Sequence, residues 1–181
     1  MNSRVETKLF DLTRDDEQRM SQETMERFAA NEIREVAKNA DEVGATPSSF
    51  FEKTAELGLA LLPIPEPLGG AGMLRSPVSN SLNAQDLAWG DLALALGTIS
   101  PQAFVNTVLD QGTDAQREQY LPKFCDGRFL AASTALTEPR ATFDPMVPQC
   151  TARPDGDDYL LSGEKCMVPF GESAELLLVI A

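Results

Sequence analysis

Histidine is missing altogether from the 181 residues. Its absence removes triads that use His as base, HExxH zinc sites and most His-bearing metal sites. Cysteine is scarce as well. Cys125, Cys150 and Cys166 stand far apart and show no CxxC spacing, which fits reduced thiols in a cytosol-like compartment better than disulfides or zinc. Positive charge is short too: 15 Lys and Arg face 28 Asp and Glu, a net charge of -13. Nucleic-acid affinity comes mainly from Lys and Arg neutralising phosphates, so no nucleic-acid partner is expected. An anionic membrane surface is disfavoured for the same reason. No run approaches the roughly 18 apolar residues that cross a bilayer, and Pro63 and Pro65 interrupt the best candidate, Leu57 to Leu68. The stretch Met1 to Asp11 is polar and has no signal-peptide apolar region. Neither an internal repeat nor a low-complexity tract is visible. These features predict a soluble, cytoplasmic protein with no membrane partner.

What the chain does have is apolar material, 43% of its residues and nine Phe among them, enough for a buried core. Thr13 followed by Asp15, Asp16 and Glu17 predicts a helix start, with a hydroxyl cap and acids at the positive end of the dipole. Met25, Phe28, Ala29, Ile33, Val36, Ala37 and Ala40 recur at three- and four-residue steps, one apolar stripe running to about Ala40 with Gly44 beyond it. Ser48 is a cap candidate for a short helix carrying Phe51, Ala55 and Leu57, closed by Gly58. The Pro63 to Gly72 run cannot be helical, and its small residues allow close backbone packing. Ser76-Pro77 opens another helix, apolar nearly all round from Leu87 to Leu96 and therefore expected to be central, with a break or kink at Gly90. Ser100-Pro101 repeats the start signal, Gly112 ends that segment, and Thr113-Asp114 opens the last helix, completed by Gln116 to Phe124.

At Gly127 the period changes. Phe129 to Leu136 predicts a strand, and Thr151-Ala152-Arg153 and Tyr159-Leu160-Leu161 flank a Pro154-Asp155-Gly156 hairpin signal. Leu176 to Ala181 predicts a buried strand. Such a strand makes a poor terminus because its open edge recruits other strands, so a piece of a longer protein is expected. The fold class is therefore α+β: an antiparallel α-helical domain over residues 1–126, then the first strands of an antiparallel, barrel-like β-domain over residues 127–181.

Several residues invite a structural reading first. Trp89 is expected in the core, and Met167 as a filler of core gaps. Glu138 and Arg140 read as a surface ion pair of little worth, and Thr137-Glu138 as a strand end entering a Pro139 turn. The Gly69-Gly70-Ala71-Gly72 run lacks the Lys-Ser/Thr ending and preceding strand of a phosphate loop, so a tight structural turn is expected.

Read together, these segments resemble the acyl-CoA dehydrogenase family. The resemblance rests on Arg27-Phe28-Ala29 with Glu32-Ile33-Arg34, on Ala55 to Leu59, and on Ile64-Pro65-Glu66 with Gly69-Gly70-Ala71-Gly72. It continues through Gly112-Thr113, Gln116-Arg117, Tyr120 to Lys123 and Asp126-Gly127 to Ala135-Leu136-Thr137-Glu138-Pro139 and Gly163-Glu164-Lys165. It is collinear along the whole chain. It implies a flavoprotein with an N-terminal helical domain, a middle β-domain and a C-terminal four-helix domain absent from these 181 residues. The implied activity is FAD-dependent α,β-desaturation of an acyl-CoA thioester, with the protein fixing the cofactor and supplying a base. The family's catalytic glutamate lies in the C-terminal domain, so no acid here takes that role.

By position in the motifs, the resemblance places Ala135 and Leu136 as backbone contacts to the flavin ring and Thr137 as a hydroxyl contact. Met167 and Val168 stand on the same wall. Met167 occupies the place of a flavin-stacking tryptophan, and Pro169 that of a polar residue. Phe143 stands where the family usually has a serine that helps hold acyl-CoA. The implied partners are an acyl-CoA substrate, an electron-transfer flavoprotein or similar acceptor, and further subunits, as a homo-oligomer or a heteromer. The departures at Phe143, Met167 and Pro169 raise a second reading, a non-catalytic partner subunit with a degenerate flavin site. An acyl-CoA oxidase or flavin monooxygenase on the same fold is a third. Chain-length determinants would fall partly in the helices near Leu82 to Leu96.

Overall fold

Asp15, rather than Thr13, starts the first helix. In the computed structural model, which describes residues 13–181, the Asp15 carboxylate accepts from the Gln18 N–H at 2.8 Å while the Gln18 side chain accepts from the Asp15 N–H at 3.2 Å. This reciprocal capping box places a full negative charge at the positive end of the dipole, where a hydroxyl offers only a partial one. The polar stretch Met1 to Asp11 lies outside the described residues.

Helix α1 (Asp16–Phe28) passes through one π-helical turn (Ala29–Ile33) into α2 (Arg34–Val43), and Gly44 closes it at φ +70°. The left-handed cap needs no Cβ penalty at glycine. The expected stripe is real, with Met25, Ala29 and Ile33 buried. Helix α3 (Ser48–Ala55) begins with Ser48 as its first turn and Pro47 at the cap position, with no side-chain cap bond. Proline's fixed φ replaces the expected serine cap.

The glycine run after a short 3-10 turn (Glu66–Leu68) is the tight turn expected. Its N–H groups point inward: Ala71 donates to Leu61, Gly72 to Ile64 and Met73 to Leu62. Turned inward in this way, they cannot cradle a phosphate. A Cβ on Gly70 would sit 2.1 Å from the Ile64 carbonyl oxygen.

Ser76 caps α4 (Pro77–Gly90) as expected, and Asp91 caps α5 (Leu92–Gln111), its carboxylate accepting from Leu94 N–H at 2.9 Å. Gly90 thus ends a helix and lets α4 pack closely on the π turn, where a Cβ would meet Ile33 at 2.8 Å. The segment is only partly central. Leu87, Leu94 and Ala95 are buried, while Trp89, Leu92 and Leu96 are exposed. Trp89 is 62% exposed and carries the Arg34 guanidinium over its ring at 4.7 Å, so it is not a core residue.

Ser100-Pro101 does not start a helix. Pro101 lies inside α5. Proline removes the N–H that would bond the Gly97 carbonyl, and the buried Ser100 hydroxyl lies within hydrogen-bond distance of that carbonyl at 3.1 Å and of the Ala132 carbonyl at 3.0 Å. One hydroxyl proton is thus placed to serve either the freed helix carbonyl or the sheet carbonyl, shared between the two. At 20 residues α5 is also long and apolar enough to cross a membrane by length and composition, contrary to the sequence expectation. Half of its most apolar window is buried inside the fold, as for a core helix.

A second capping box, Thr113 with Gln116, opens α6 (Asp114–Tyr120), and a 3-10 turn (Leu121–Phe124) ends the helical part. Two core clusters result. Met25, Ala29, Ile33, Phe50 and Leu87 centre the first. Ile64, Phe104, Val105, Leu121 and Phe124 centre the second, which also takes in Leu130 and Ala132.

The β part is shorter and differently paired than expected. Strand β1 spans only Ala132–Ala135, and it pairs in parallel with β4 (Leu176–Val179). The antiparallel expectation fails there because the intervening chain crosses over before returning. Strand β4 is half-buried, with Leu177 at 45% exposure. Strands β2 (Thr151–Asp155) and β3 (Asp158–Ser162) form the expected antiparallel hairpin, with its turn at Gly156-Asp157 and both strands fully exposed. The class is α+β. Among the described residues no barrel closes.

Candidate functional site

The site is built where β1 ends. Ala135 is buried, and its carbonyl accepts from Ile180 N–H at 3.2 Å. The Leu136 carbonyl accepts from Lys165 Nζ at 3.0 Å, and the Thr137 carbonyl from Cys166 N–H at 2.9 Å. The three carbonyls are thus engaged inside the protein. The Leu136 side chain is left 38% exposed, and Thr137 is half-buried next to it.

Glu138 is not a surface residue. It is 4% exposed. Its carboxylate accepts from the Gln149 N–H at 2.9 and 3.0 Å, from the Cys150 N–H at 2.9 Å and from Lys165 Nζ at 3.0 Å. The Arg140 guanidinium stands at 3.4 Å. The Cys150 and Gln149 N–H groups, aided by Lys165, stabilise the charged form and hold the carboxyl well below the ordinary glutamate range, at about 2. The expected weak Glu138–Arg140 pair is therefore the outer edge of a buried network.

Gly163 makes that network reachable. It sits at φ +147°, and a Cβ there would lie 2.3 Å from the Cys150 sulfur. The bare glycine lets the end of β3 close on Cys150 and brings Lys165 beside Glu138.

Beyond Lys165 the chain lines a cavity of about 620 Å³ formed with α3, α5 and Phe129. Met167 and Val168 belong to its wall, with Pro169, Phe170, Leu96 and Gly97. Met167 is 90% exposed, so it fills no gap in the core. Met167 and Phe170 both hold positive φ, 54° and 56°, strained backbone of the kind that clusters at binding sites. Phe51, Phe129 and Phe170 close the cavity's inner side with centroids 4.9 to 5.6 Å apart. Gly97 leaves room for them, since a Cβ there would come within 2.8 Å of Phe51.

The residues anticipated from sequence fall into three places. Leu136 and Thr137 meet the Met167-Val168 segment through the Thr137–Cys166 bond. Ala135 sits behind them in the ladder. Phe143 stands apart from the cavity wall, half-buried under the Arg140 guanidinium at 5.8 Å. Sequence reasoning missed Lys165 as a partner of Glu138, and Phe51, Phe129 and Phe170 as a cavity wall. The first pair had a signal, opposite charges in the Ala135–Pro139 and Gly163–Lys165 motifs. No local spacing connects the three phenylalanines.

Exposed apolar side chains at Leu136 and Met167, with the hydroxyl-bearing Thr137 next to Leu136 in the chain, suit a planar heteroaromatic with polar edges, and so the residues present fit a flavin ring. Residues 15–128 match the model for the acyl-CoA dehydrogenase N-terminal domain. The chain therefore belongs to the acyl-CoA dehydrogenase family. It is 33% identical over 179 residues to a probable acyl-CoA dehydrogenase of Bacillus subtilis, covering 95% of this chain and 44% of that protein. It is 35% identical over 176 residues to the acryloyl-CoA reductase (NADH) of Anaerotignum propionicum, covering 95% and 43%. Among solved structures, glutaryl-CoA dehydrogenase from Mycobacterium smegmatis superposes with a TM-score of 0.77 at 26% identity, over 92% of this chain and 43% of that one. Butyryl-CoA dehydrogenase from Megasphaera elsdenii gives 0.78 at 24% identity, which speaks for the fold alone. The chain thus spans less than half the length of the relatives it resembles.

Proposed function

We propose that this chain supplies the N-terminal part of an FAD-dependent acyl-CoA dehydrogenase, an enzyme that desaturates an acyl-CoA thioester between its α and β carbons. The observation that carries the reading is the Thr137–Cys166 bond, which ties the Leu136-Thr137 segment to the chain that runs on through Met167 and Val168 into the wall of an apolar cavity, in a chain of this family. Bound FAD supplies the electron acceptor for the β-hydrogen. The chain's own residues then have distinct tasks. Leu136 and Thr137 would offer backbone N–H groups and a hydroxyl to the ring, where uncharged donors favour the negative charge that reduction brings. Met167 would offer a polarizable sulfur to the ring, worth about 0.3–1.5 kcal/mol, and Val168 would stand beside it.

The cavity bounded by Phe51, Phe129 and Phe170 would take the apolar acyl group and exclude water from it. The base that removes the α-proton would come from outside residues 13–181. An electron-transfer flavoprotein or similar carrier as acceptor, a homo-oligomeric assembly and a cytoplasmic location belong to the same proposal.

The test is an absorbance spectrum of the whole protein purified with added FAD, before and after anaerobic addition of an acyl-CoA panel. A flavin spectrum that bleaches supports the reading. A folded protein that stays colourless overturns it in favour of a partner subunit without its own flavin.

A further inference from the structure

The Glu138 network is more elaborate than stability alone requires. Buried ion pairs are poor stabilisers, because the cost of removing both charges from water offsets their attraction. Here Lys165 is 9% and Glu138 4% exposed at the side chain, yet both charges are retained, and apart from the bond between them they bind backbone at two separate stretches. The carboxylate collects the N–H groups of Gln149 and Cys150. The ammonium spends one donor on Glu138 and another on the Leu136 carbonyl. The Cys166 N–H, next along the chain, closes on the Thr137 carbonyl. Three segments far apart in sequence, 136–138, 149–150 and 165–166, are drawn to one point.

That point lies directly behind the two segments that face the proposed ring. We propose that Glu138 and Lys165 are positioning residues, a clamp that fixes the Leu136-Thr137 segment and the Met167-Val168 wall relative to each other so that both can meet one flavin ring. The inference rests on the flavin reading above. Neither side chain touches the ring; both act through backbone. The clamp also explains how Met167 is held at positive φ: the residue before it is pinned by the Thr137 carbonyl, and the tertiary bonds offset the local strain. It explains the bare Gly163 as well, since any side chain there would push Lys165 away from its two acceptors.

The decisive comparison uses the whole protein with the single variants E138Q and K165M and the double variant E138Q/K165M. Three quantities are read: Tm without FAD, the dissociation constant for FAD by fluorescence, and backbone amide exchange over residues 164–168. K165M is expected to lower Tm, to speed exchange at Cys166 and to weaken FAD binding about tenfold or more. The double variant removes both charges together. It is expected to regain most of the lost Tm while FAD binding stays about tenfold weak, because the Leu136 carbonyl is still untethered. K165R, which keeps a cation of similar reach, is expected to restore part of the affinity. A double variant that binds FAD as the wild type does overturns the clamp and leaves the pair a purely structural one. A wild-type protein that takes up no FAD overturns the flavin reading and the clamp with it.

Discussion

Glu138 shows how strongly one carboxylate can depend on its backbone neighbours. Its pKa is lowered to about 2 by the Cys150 and Gln149 N–H groups with help from Lys165. A carboxyl whose folded value lies below its unfolded value adds stability that is complete above the unfolded range and is lost as pH falls through the folded one. The expected outcome is a loss of stability between about pH 5 and pH 2 that is shallower in Glu138→Gln than in the wild type. Urea unfolding across that range checks it, and equal slopes would argue against the network.

Asp86 is the opposite case. It is 8% exposed, one carboxyl oxygen has no partner, and burial, with Glu26 adding to it and Arg14 opposing, pushes its proton affinity up. Its folded value lies above its unfolded value, so its contribution falls as pH rises through the folded value. Asp86→Asn is therefore expected to gain about 1 kcal/mol at neutral pH, a Tm rise of roughly 2–8 °C by thermal unfolding. The gain should shrink toward acid pH.

Among the elements, α5 and the glycine turn carry the sharpest expectations. Ser100→Ala removes the one hydroxyl proton that the Gly97 carbonyl, already deprived of an N–H by Pro101, shares with the Ala132 carbonyl. A cost of about 1–3 kcal/mol is expected from denaturant midpoints, with the slope m unchanged. Gly70→Ala should cost more than about 3 kcal/mol, because its Cβ would collide with the Ile64 backbone rather than with a side chain that can turn away. Helix starts were legible where a cap acts locally, at Ser76 and Thr113. They were misread where a proline was ambiguous, at Ser100-Pro101, because a start and a repaired interior carry the same dipeptide. Whether the freed carbonyl finds a hydroxyl is a matter of geometry.

At the level of the whole molecule, stability is uneven. Helix α5 contributes to both core clusters, whereas β2 and β3 expose both faces, and an isolated two-stranded hairpin is marginal in water. Native-state hydrogen exchange should show amides of residues 151–162 exchanging well before those of 94–108. Slow exchange in the hairpin would mean that something covers it in solution.

By itself the sequence determined the helical half, the change of period at Gly127, the hairpin and the family. Each of these rests on apolar periodicity, on capping chemistry or on motifs in collinear order, all of which act over a few residues. Only the tertiary structure decided that Trp89 faces outward, that β1 pairs in parallel with β4, and that Glu138 is buried against Lys165. It alone assembled Phe51, Phe129 and Phe170 into a cavity wall beside Met167. Those outcomes depend on which surfaces meet across tens of residues. A charge, a ring or a strand edge carries no local mark of the partner that will eventually desolvate it.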